Sequence, residues 1–211
     1  ISNDSKDELR LFNANVLLTQ RLCAELNFDR IVYSSTVSLH GSTTAAIVET
    51  SQINPHNAYA HSKLWGEHYV QQCDSFAILR FSSIYGVGIK DGVFISRAIE
   101  QALTNGAVTI MGDGERLQNY IHTDTAIDYL VCAAKVNNNV VGLAVSTTSH
   151  SNRSIADYIC QATGSELKFN GVDNSPSFVY DNSKTRELIG LIKPDSEIEK
   201  EIAAIVEWTR Q

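Results

Sequence analysis

The sequence predicts an α/β protein whose core is a parallel sheet. Two short runs rich in β-branched and aromatic residues, RIVYSS and FAILRFSSIYG, have the composition of strands covered by helices on both faces. A long loop and the helical segment AYAHSKLWGEHYVQQC lie between them. Such a strand, crossover, helix and strand unit is parallel and right-handed in nearly all known proteins.

The first element in chain order is predicted to be an amphipathic helix. Apolar residues recur at helical spacing from about Lys6 to Leu26. The strand RIVYSS follows, and the chain there carries three consecutive hydroxyl side chains, those of Ser34, Ser35 and Thr36. Ligands of open parallel sheets bind beyond the carboxyl ends of the strands, so we expect these hydroxyls near a binding site.

The segment from Val37 to Pro55 is irregular and is predicted to be a long loop, a type of connection that often serves function. Asn57 then opens the helix of the crossover. The remaining elements are predicted as follows: a helix near Val93–Thr104, the strand AVTIMG, the turn GDGERLQ, a helix at Thr123–Lys135, the strand GLAVSTT, and two further helical stretches after Ser154.

Composition and charge exclude several classes of protein. The chain has 211 residues, 43% of them hydrophobic, which suffices for a real core. Its net charge of −7 comes from scattered acids, without the basic block that a nucleic-acid partner requires. No apolar run approaches the length needed to cross a bilayer, and the four cysteines form no C-x-x-C pair. We therefore expect a cytoplasmic protein without a metal site.

Tyr59 and Lys63 form the most informative pair in the sequence. Four residues apart on a helix, they share one face and can address one ligand together. A free phenol has a pKa of about 10, and an adjacent ammonium favours the phenolate and lowers that pKa. Thr36, on the neighbouring strand end, is placed to hold the same substrate oxygen. The same spacing also arises by chance on solvated helical faces.

Four segments, in order, carry a resemblance to a known family: VYSSTVSLHG, NAYAHSKLWGE, LRFSSIYG and GDGERLQNYIHTDTA. Over nearly its whole length the sequence resembles the NAD-dependent epimerase/dehydratase family, the extended short-chain dehydrogenases/reductases. The resemblance implies a Rossmann-type doubly wound parallel sheet with a small α/β substrate-binding domain. It assigns residues 1–88 and 119–147 to a partial dinucleotide-binding domain, and residues 89–118 and 148–211 to the small domain.

The resemblance also implies a catalytic set. In the family a serine or threonine, a tyrosine and a lysine act together, and the matching residues are Thr36, Tyr59 and Lys63. The lysine additionally binds the nicotinamide ribose. Ser35 is the alternative to Thr36 for the catalytic hydroxyl if the loop is offset by one residue.

Binding residues follow from the same likeness. The implied cofactor contacts, besides the tyrosine and the lysine, are Ser34, Ser35, Ser82 and Ile84. The implied substrate contacts, besides Thr36, are Ser83 and Gln118. Ser83 is also explained as a strand-end serine that satisfies backbone groups. Asn13 and Asn15 compete for the position of a family asparagine on the first helix, and each is also explained as an ordinary polar residue.

The sequence departs from the family pattern in three places. No glycine-rich pyrophosphate turn occurs, so about 75–90 residues of preceding βα units are expected to be absent and the chain is expected to be a fragment that binds NAD poorly. Gln118 and Asn119 stand where relatives often have a phosphate-binding arginine, with Arg116 as a weak substitute. Val37 and Ser38 replace the acid pair of dehydratases, so dehydration is not expected.

The resulting hypothesis is an NAD(P)-dependent epimerase acting on a nucleotide-sugar. NAD is the expected cofactor, with NADP as the alternative, and a homodimer is compatible with the sequence. A reductase of a non-nucleotide carbonyl is the first rival, because the phosphate-binding arginine is missing. A non-catalytic dinucleotide sensor is the second, although such a protein has no need of the tyrosine and lysine pair.

Overall fold

The structure is a computed structural model that describes residues 5–41 and 45–211. The predicted N-terminal helix is present, but its regularity is interrupted. Helix α1 (Ser5–Phe12) and helix α2 (Leu18–Glu25) are joined by a π-helical turn at Asn13–Leu17. The backbone stays helical through both junctions. Single π-helical turns inside α-helices are frequent at functional sites, so this turn draws attention to the residues within it.

A three-stranded parallel sheet is the centre of the fold. Strand β1 (Ile31–Thr36) pairs with β2 (Phe76–Phe81), and β2 pairs with β6 (Val140–Ala144). The register aligns Thr36 with Phe81, and Phe81 with Ala144, so all three strands end at the same level. The predicted parallel α/β unit is confirmed.

The crossover between β1 and β2 passes through a 3₁₀ turn at Val37–His40 and then helix α3 (Ala58–Val70). Residues 42–44 of the predicted long loop lie outside the described residues. The later part of this loop is fixed, because Ile47 is fully buried and forms a backbone bridge with Tyr180. Asn57 caps α3, its side-chain oxygen accepting a hydrogen bond from the Ala60 N–H at 2.9 Å.

The prediction of one continuous strand in FAILRFSSIYG is wrong. The chain leaves the main sheet after β2 and starts a new strand, β3 (Ser83–Tyr85), which pairs in parallel with β5 (Leu117–His122). A short strand, β7 (Ser149–Ser151), lies antiparallel on the other edge of β5. The break falls at Ser82, whose N–H still donates to the Ala144 carbonyl oxygen at 3.3 Å. The two strands are apolar on both sides of this point, so periodicity could not reveal the change of sheet.

The predicted helices of the second half are present. They are α4 (Phe94–Asn105), α5 (Thr123–Lys135), α6 (Asn152–Thr163) and α8 (Ile198–Thr209). The sequence analysis missed a further helix between the last two, α7 (Ser183–Ile189). The predicted strand AVTIMG is β4 (Ala107–Met111), and it pairs with β8 (Glu166–Asn170). The sequence analysis missed β7 and β8, which are short and polar and therefore lack a strand-like apolar pattern.

Two large hydrophobic cores support these layers, beside a small third cluster of Ile47, Leu143, Val145 and Tyr180. One lies between β4 and helices α4, α6 and α8, and the other lies between the main sheet and α5. Helix α7 belongs to the second core: the Leu143 N–H of β6 donates to Thr185 at 2.8 Å, and Ile189 and Leu191 pack beside α5. Residues 183–191 therefore pack on the main sheet, although the predicted division places them in the small domain. That division stays a prediction.

Helix α3 packs closely on β1 and the π-helical turn at Gly66. A Cβ atom at this position would lie 2.0 Å from the Tyr33 hydroxyl oxygen and 2.8 Å from the Asn15 carbonyl oxygen. Alanine normally stabilises a helix relative to glycine, yet here we expect Gly66→Ala to lower the free energy of unfolding by about 1–3 kcal/mol through overpacking. Denaturant unfolding measures the change, with the exposed His61→Ala of the same helix as control. A Gly66→Ala variant as stable as the parent would contradict this packing.

Candidate active site

Tyr59 and Thr36 meet at the carboxyl end of the main sheet. Tyr59 lies in the first turn of α3, and Thr36 is the last residue of β1 and is buried. Their side chains lie close enough for Thr36 to act as a hydrogen-bonding neighbour of the Tyr59 phenol. The strand end and the capped helix start thus bring together two of the residues that the sequence singled out, and Thr36 rather than Ser35 is the hydroxyl beside the phenol.

The electrostatics of Tyr59 differ from the sequence-based expectation. Burial raises the pKa of Tyr59 above its ordinary value, and the hydrogen bond with Thr36 partly opposes that rise. Lys63 was expected to lower the pKa of this phenol, but its amine faces the strand. The Lys63 Nζ atom donates to the Ser34 carbonyl oxygen at 2.9 Å and lies 4.9 Å from the centre of the Tyr33 ring. In this arrangement the phenol is neutral at pH 7.

Lys63 is nevertheless held close to the tyrosine. Burial lowers the pKa of Lys63. Tyr59 and Lys63 line one cavity of about 860 Å³, which we call the Tyr59 cavity. The Lys63 ammonium has three N–H donors, and only one is used on the Ser34 carbonyl oxygen. It can therefore also donate a hydrogen bond to a ligand bound in this cavity.

Asn15 is the residue of the first helix that reaches this site. It lies inside the π-helical turn, lines the Tyr59 cavity, and donates from Nδ2 to the Ser62 hydroxyl oxygen at 3.0 Å. Asn13 is exposed and does not line this cavity. The sequence left Asn13 and Asn15 as alternatives. No sequence pattern revealed the π-helical turn, in which Asn15 faces α3.

A second cavity, of about 270 Å³, opens on the other side of the strand ends; we call it the Ser38 cavity. Three residues from the sequence-based set, Ser82, Ser83 and Gln118, line it. The sequence analysis missed several others, which come from the long loop, β5 and the C-terminal stretch: Ser38, His56, Asn57, Asn119, Phe178 and Tyr180. A hydroxyl two residues after Thr36 is a signal that could have identified Ser38. Nothing local marks Phe178 or Tyr180, which tertiary folding brings in.

Two buried hydroxyls at the strand ends suit a bound cofactor. Ser35 is 4% exposed and Ser82 is 8% exposed, and within the described residues neither side-chain oxygen has a hydrogen-bond partner. Buried polar atoms are rarely left unpaired in folded proteins, so orphaned hydroxyls point to a missing ligand or water. Ser34 contributes its carbonyl oxygen to Lys63, whereas the Ile84 side chain is 48% exposed and lines neither cavity. Ser35 and Ser82 would therefore suit the polar atoms of a bound dinucleotide.

A third cavity, of about 780 Å³, lies between α4, β4 and the segment after β8; we call it the Arg116 cavity. Arg97 and Arg116 line it, and Gln118 lines both this cavity and the Ser38 cavity. The Arg116 Nε atom donates to the Pro176 carbonyl oxygen at 3.1 Å, which orients the guanidinium. The Gln118 amide donates to Asn152 Oδ1 at 2.5 Å.

Other kinds of site find no support in the described part of the chain. Residues 5–41 and 45–211 contain no group of three or more histidine, cysteine, aspartate or glutamate side chains able to hold a metal ion. No helix among them combines the length and apolar character needed to span a membrane.

A parallel sheet with a threonine at a strand end, a tyrosine and a lysine on the adjoining helix, and orphaned hydroxyls beside them is the architecture of the short-chain dehydrogenase/reductase class. The sequence profile of the NAD dependent epimerase/dehydratase family matches residues 1–146, which is more than half of the chain. The chain belongs to this family.

Individual relatives agree with the family assignment. An uncharacterised UDP-glucose epimerase of Bacillus subtilis is 29% identical over 121 residues, covering 54% of this chain and 38% of the relative. A putative UDP-glucose 4-epimerase of Methanocaldococcus jannaschii is 25% identical over 199 residues, covering 87% of this chain and 64% of the relative. The chain thus spans less than two thirds of the length of these relatives.

Solved structures are similar over more of the chain. The structure of MoeE5 in complex with UDP-glucose and NAD is 25% identical, with a TM-score of 0.82, and covers 94% of this chain and 72% of its own. The UDP-glucuronic acid 4-epimerase from Bacillus cereus in complex with NAD has a TM-score of 0.87 at 24% identity, covering 100% of this chain and 72% of its own. The second likeness supports the Rossmann-type fold alone.

Proposed function

We propose that the complete protein is an NAD(P)-dependent epimerase of a nucleotide-sugar. The observation that carries the proposal is the convergence of Thr36, Tyr59 and Lys63 at the carboxyl ends of parallel strands, the region where open α/β sheets bind their ligands. The MoeE5 structure, which contains UDP-glucose and NAD, supports the choice of ligands by similarity.

In this proposal, Tyr59 exchanges a proton with the sugar hydroxyl at the carbon that is oxidised. Thr36 donates its hydroxyl proton to the same oxygen and so fixes its position next to the phenol. Bound NAD supplies the redox chemistry by accepting a hydride and returning it. Lys63 holds the nicotinamide ribose, and Ser35 and Ser82 gain partners for their buried hydroxyls.

The raised pKa of Tyr59 sets a requirement for this mechanism. A base at neutral pH needs a phenol with a lowered pKa, and burial acts in the opposite direction. Lys63 can meet the requirement once its amine turns from the Ser34 carbonyl oxygen toward a bound ligand next to Tyr59. Oxidised NAD, if held beside Tyr59, would add a positive charge, and a positive charge near a phenol favours the phenolate.

The geometry of the cavities supports a substrate with two parts. Gln118 lines both the Ser38 cavity, which suits a sugar beside Thr36, and the Arg116 cavity, which suits a nucleotide diphosphate. Guanidinium groups are effective phosphate ligands, and Arg97 and Arg116 both line the second cavity. Arg116 thereby takes over the phosphate contact that relatives make from the position of Gln118.

The rival reductase function keeps one argument in its favour. Gln118 is neutral, and Arg116 already donates to Pro176 and lies 4.0 Å from the Asp173 carboxylate, which competes with phosphate. A site with weak phosphate binding suits a carbonyl substrate without a nucleotide.

Incubation of the complete protein with NAD and UDP-glucose separates the two functions. We expect conversion to the 4-epimer with no net change in NADH absorbance, because the hydride is returned. Stoichiometric consumption of NADPH with a simple carbonyl substrate, and no sugar interconversion, would favour the reductase and overturn the proposal.

A further inference from the structure

Thr36 makes two contacts with Ser38, a residue to which the sequence analysis gave no role in the site. The Thr36 hydroxyl donates to the Ser38 hydroxyl oxygen at 3.1 Å, and the Thr36 oxygen accepts a hydrogen bond from the Ser38 N–H at 3.2 Å. The second contact caps the 3₁₀ turn at Val37–His40 and fixes the distance between the two side chains. Ser38 is therefore held against the hydroxyl that touches Tyr59.

The three hydroxyls form a chain that joins two cavities. Tyr59 lines the Tyr59 cavity, Thr36 is buried between, and Ser38 is exposed and lines the Ser38 cavity. A hydroxyl has a single proton to donate, and the Thr36 proton is used on Ser38. The phenol of neutral Tyr59 consequently donates to Thr36, and the chain runs in one direction, from Tyr59 through Thr36 to Ser38.

The direction of the chain has to reverse when Tyr59 loses its proton. A phenolate can only accept, so before the sugar binds Thr36 must turn its proton from Ser38 to the phenolate oxygen; in the proposed complex the sugar oxygen becomes its acceptor. The Thr36 oxygen then has room for another donor, and the Ser38 hydroxyl is the neighbour able to turn and supply it. Hydrogen bonds in such a chain polarise one another, so a donation from Ser38 strengthens the donation from Thr36.

We propose that Ser38 is a positioning residue that stabilises the deprotonated form of Tyr59 through Thr36, by reversing the hydroxyl chain. The role rests on the proposed function, in which Tyr59 is the base. Ser38 acts from the Ser38 cavity, so a sugar bound there can influence the chain through the same hydroxyl.

Other charged or titratable groups face Tyr59 and must stay constant in a test. Lys63 lies on the same helix, Tyr33 lies on β1, and three more residues line the Tyr59 cavity: Asp7 and Arg10 of α1, and Lys90. On the side of the Ser38 cavity, His56 and Tyr180 are the titratable groups of the lining. A substitution at Ser38 removes none of these groups.

The direct test is a titration of Tyr59 in the complete protein. The ultraviolet absorbance of tyrosinate is followed against pH, and subtraction of the same curve for Tyr59→Phe isolates this one phenol. We expect Ser38→Ala to raise the pKa of Tyr59 by about half to one unit, the size of one lost hydrogen bond. Ser38→Thr, which keeps a hydroxyl, should restore the parent value, and Ser83→Ala, from the same cavity, should leave that pKa unchanged.

The kinetic prediction has the same sign. A base with a raised pKa is deprotonated at higher pH, so the acidic limb of kcat/KM for UDP-glucose should move to higher pH in Ser38→Ala. At neutral pH we expect a loss of about three- to tenfold in kcat with little change in KM.

An unaltered Tyr59 titration in a folded Ser38→Ala variant would overturn the inference. If the parent enzyme fails to turn over UDP-glucose, the proposed function fails, while the absorbance titration still decides the role of Ser38.

Discussion

We expect Tyr59→Phe to reduce the kcat of the complete protein about 10³-fold, because the substitution removes the proton-exchanging hydroxyl and leaves the ring in place. Thr36 still holds the substrate oxygen, and Lys63 still donates to the Ser34 carbonyl oxygen at 2.9 Å. The affinity for NAD should therefore change little. Turnover of UDP-glucose and the dissociation constant of NAD, measured on the same preparation, separate the loss of chemistry from a loss of binding.

Tyr69→Phe is the matched control for this prediction. Tyr69 lies on the same helix, about three helical turns after Tyr59. Its ring contacts those of Trp65 and His68. Its variant should retain parental kcat and KM. Substantial turnover by Tyr59→Phe, or an equal loss in both variants, would remove the basis for assigning the proton to Tyr59.

The second large effect is expected at the buried ion pair between Arg80 of β2 and Glu67 of α3. The pair is bidentate, with Nε to Oε1 at 3.0 Å and Nη2 to Oε2 at 2.8 Å, and the residues are 6% and 1% exposed. Replacing Arg80 with Met leaves the Glu67 carboxylate buried without its cation. We expect the free energy of unfolding to fall by about 3–5 kcal/mol, measured by denaturant unfolding.

A double variant tests the cause of this loss. Glu67→Leu combined with Arg80→Met removes both charges, so the double variant should recover much of the stability lost by Arg80→Met alone. The exposed pair Arg21 and Glu25, at 3.2 Å on α2, provides the control, because Arg21→Ala should cost at most about 0.5 kcal/mol. A double variant no more stable than Arg80→Met would show that packing, not charge, is responsible.

The same ion pair is also connected by hydrogen bonds to the loop next to the candidate active site. The third nitrogen of Arg80, Nη1, donates to His40 Nε2 at 3.3 Å, and His40 Nδ1 lies 3.2 Å from the Gln52 carbonyl oxygen. Burial and the charge of Arg80 lower the pKa of His40, so the ring is neutral and accepts from the guanidinium. This network ties the helix of Tyr59 to β2 and to the loop that carries Ser38. The exposed pair on α2 has no such connection.

Patterns confined to one element were readable from the sequence. The helical spacing of the first segment predicted a helix, although it did not reveal the π-helical turn within it. The apolar run before Ser34 predicted a buried strand, and the four-residue step from Tyr59 to Lys63 predicted a shared helical face. These features follow from backbone periodicity, which leaves a direct mark on the order of residues.

Contacts between distant segments were outside the reach of any local pattern. The change of sheet at Ser82, the arrival of Tyr180 beside the long loop, and the choice of Asn15 over Asn13 all depend on where other elements pack. The direction of the pKa shift at Tyr59 also depends on the tertiary structure, because the phenol is buried only in the folded chain.

The sequence by itself determined the parallel α/β architecture and the family, and it singled out the threonine, tyrosine and lysine that we propose as the catalytic set. Only the tertiary structure decided that the lysine amine points to the strand, that the phenol is buried and neutral, and that a serine continues the hydroxyl chain. The physical reason is that residue order encodes which groups share a face, whereas packing decides the solvation of each group and the direction of its hydrogen bonds.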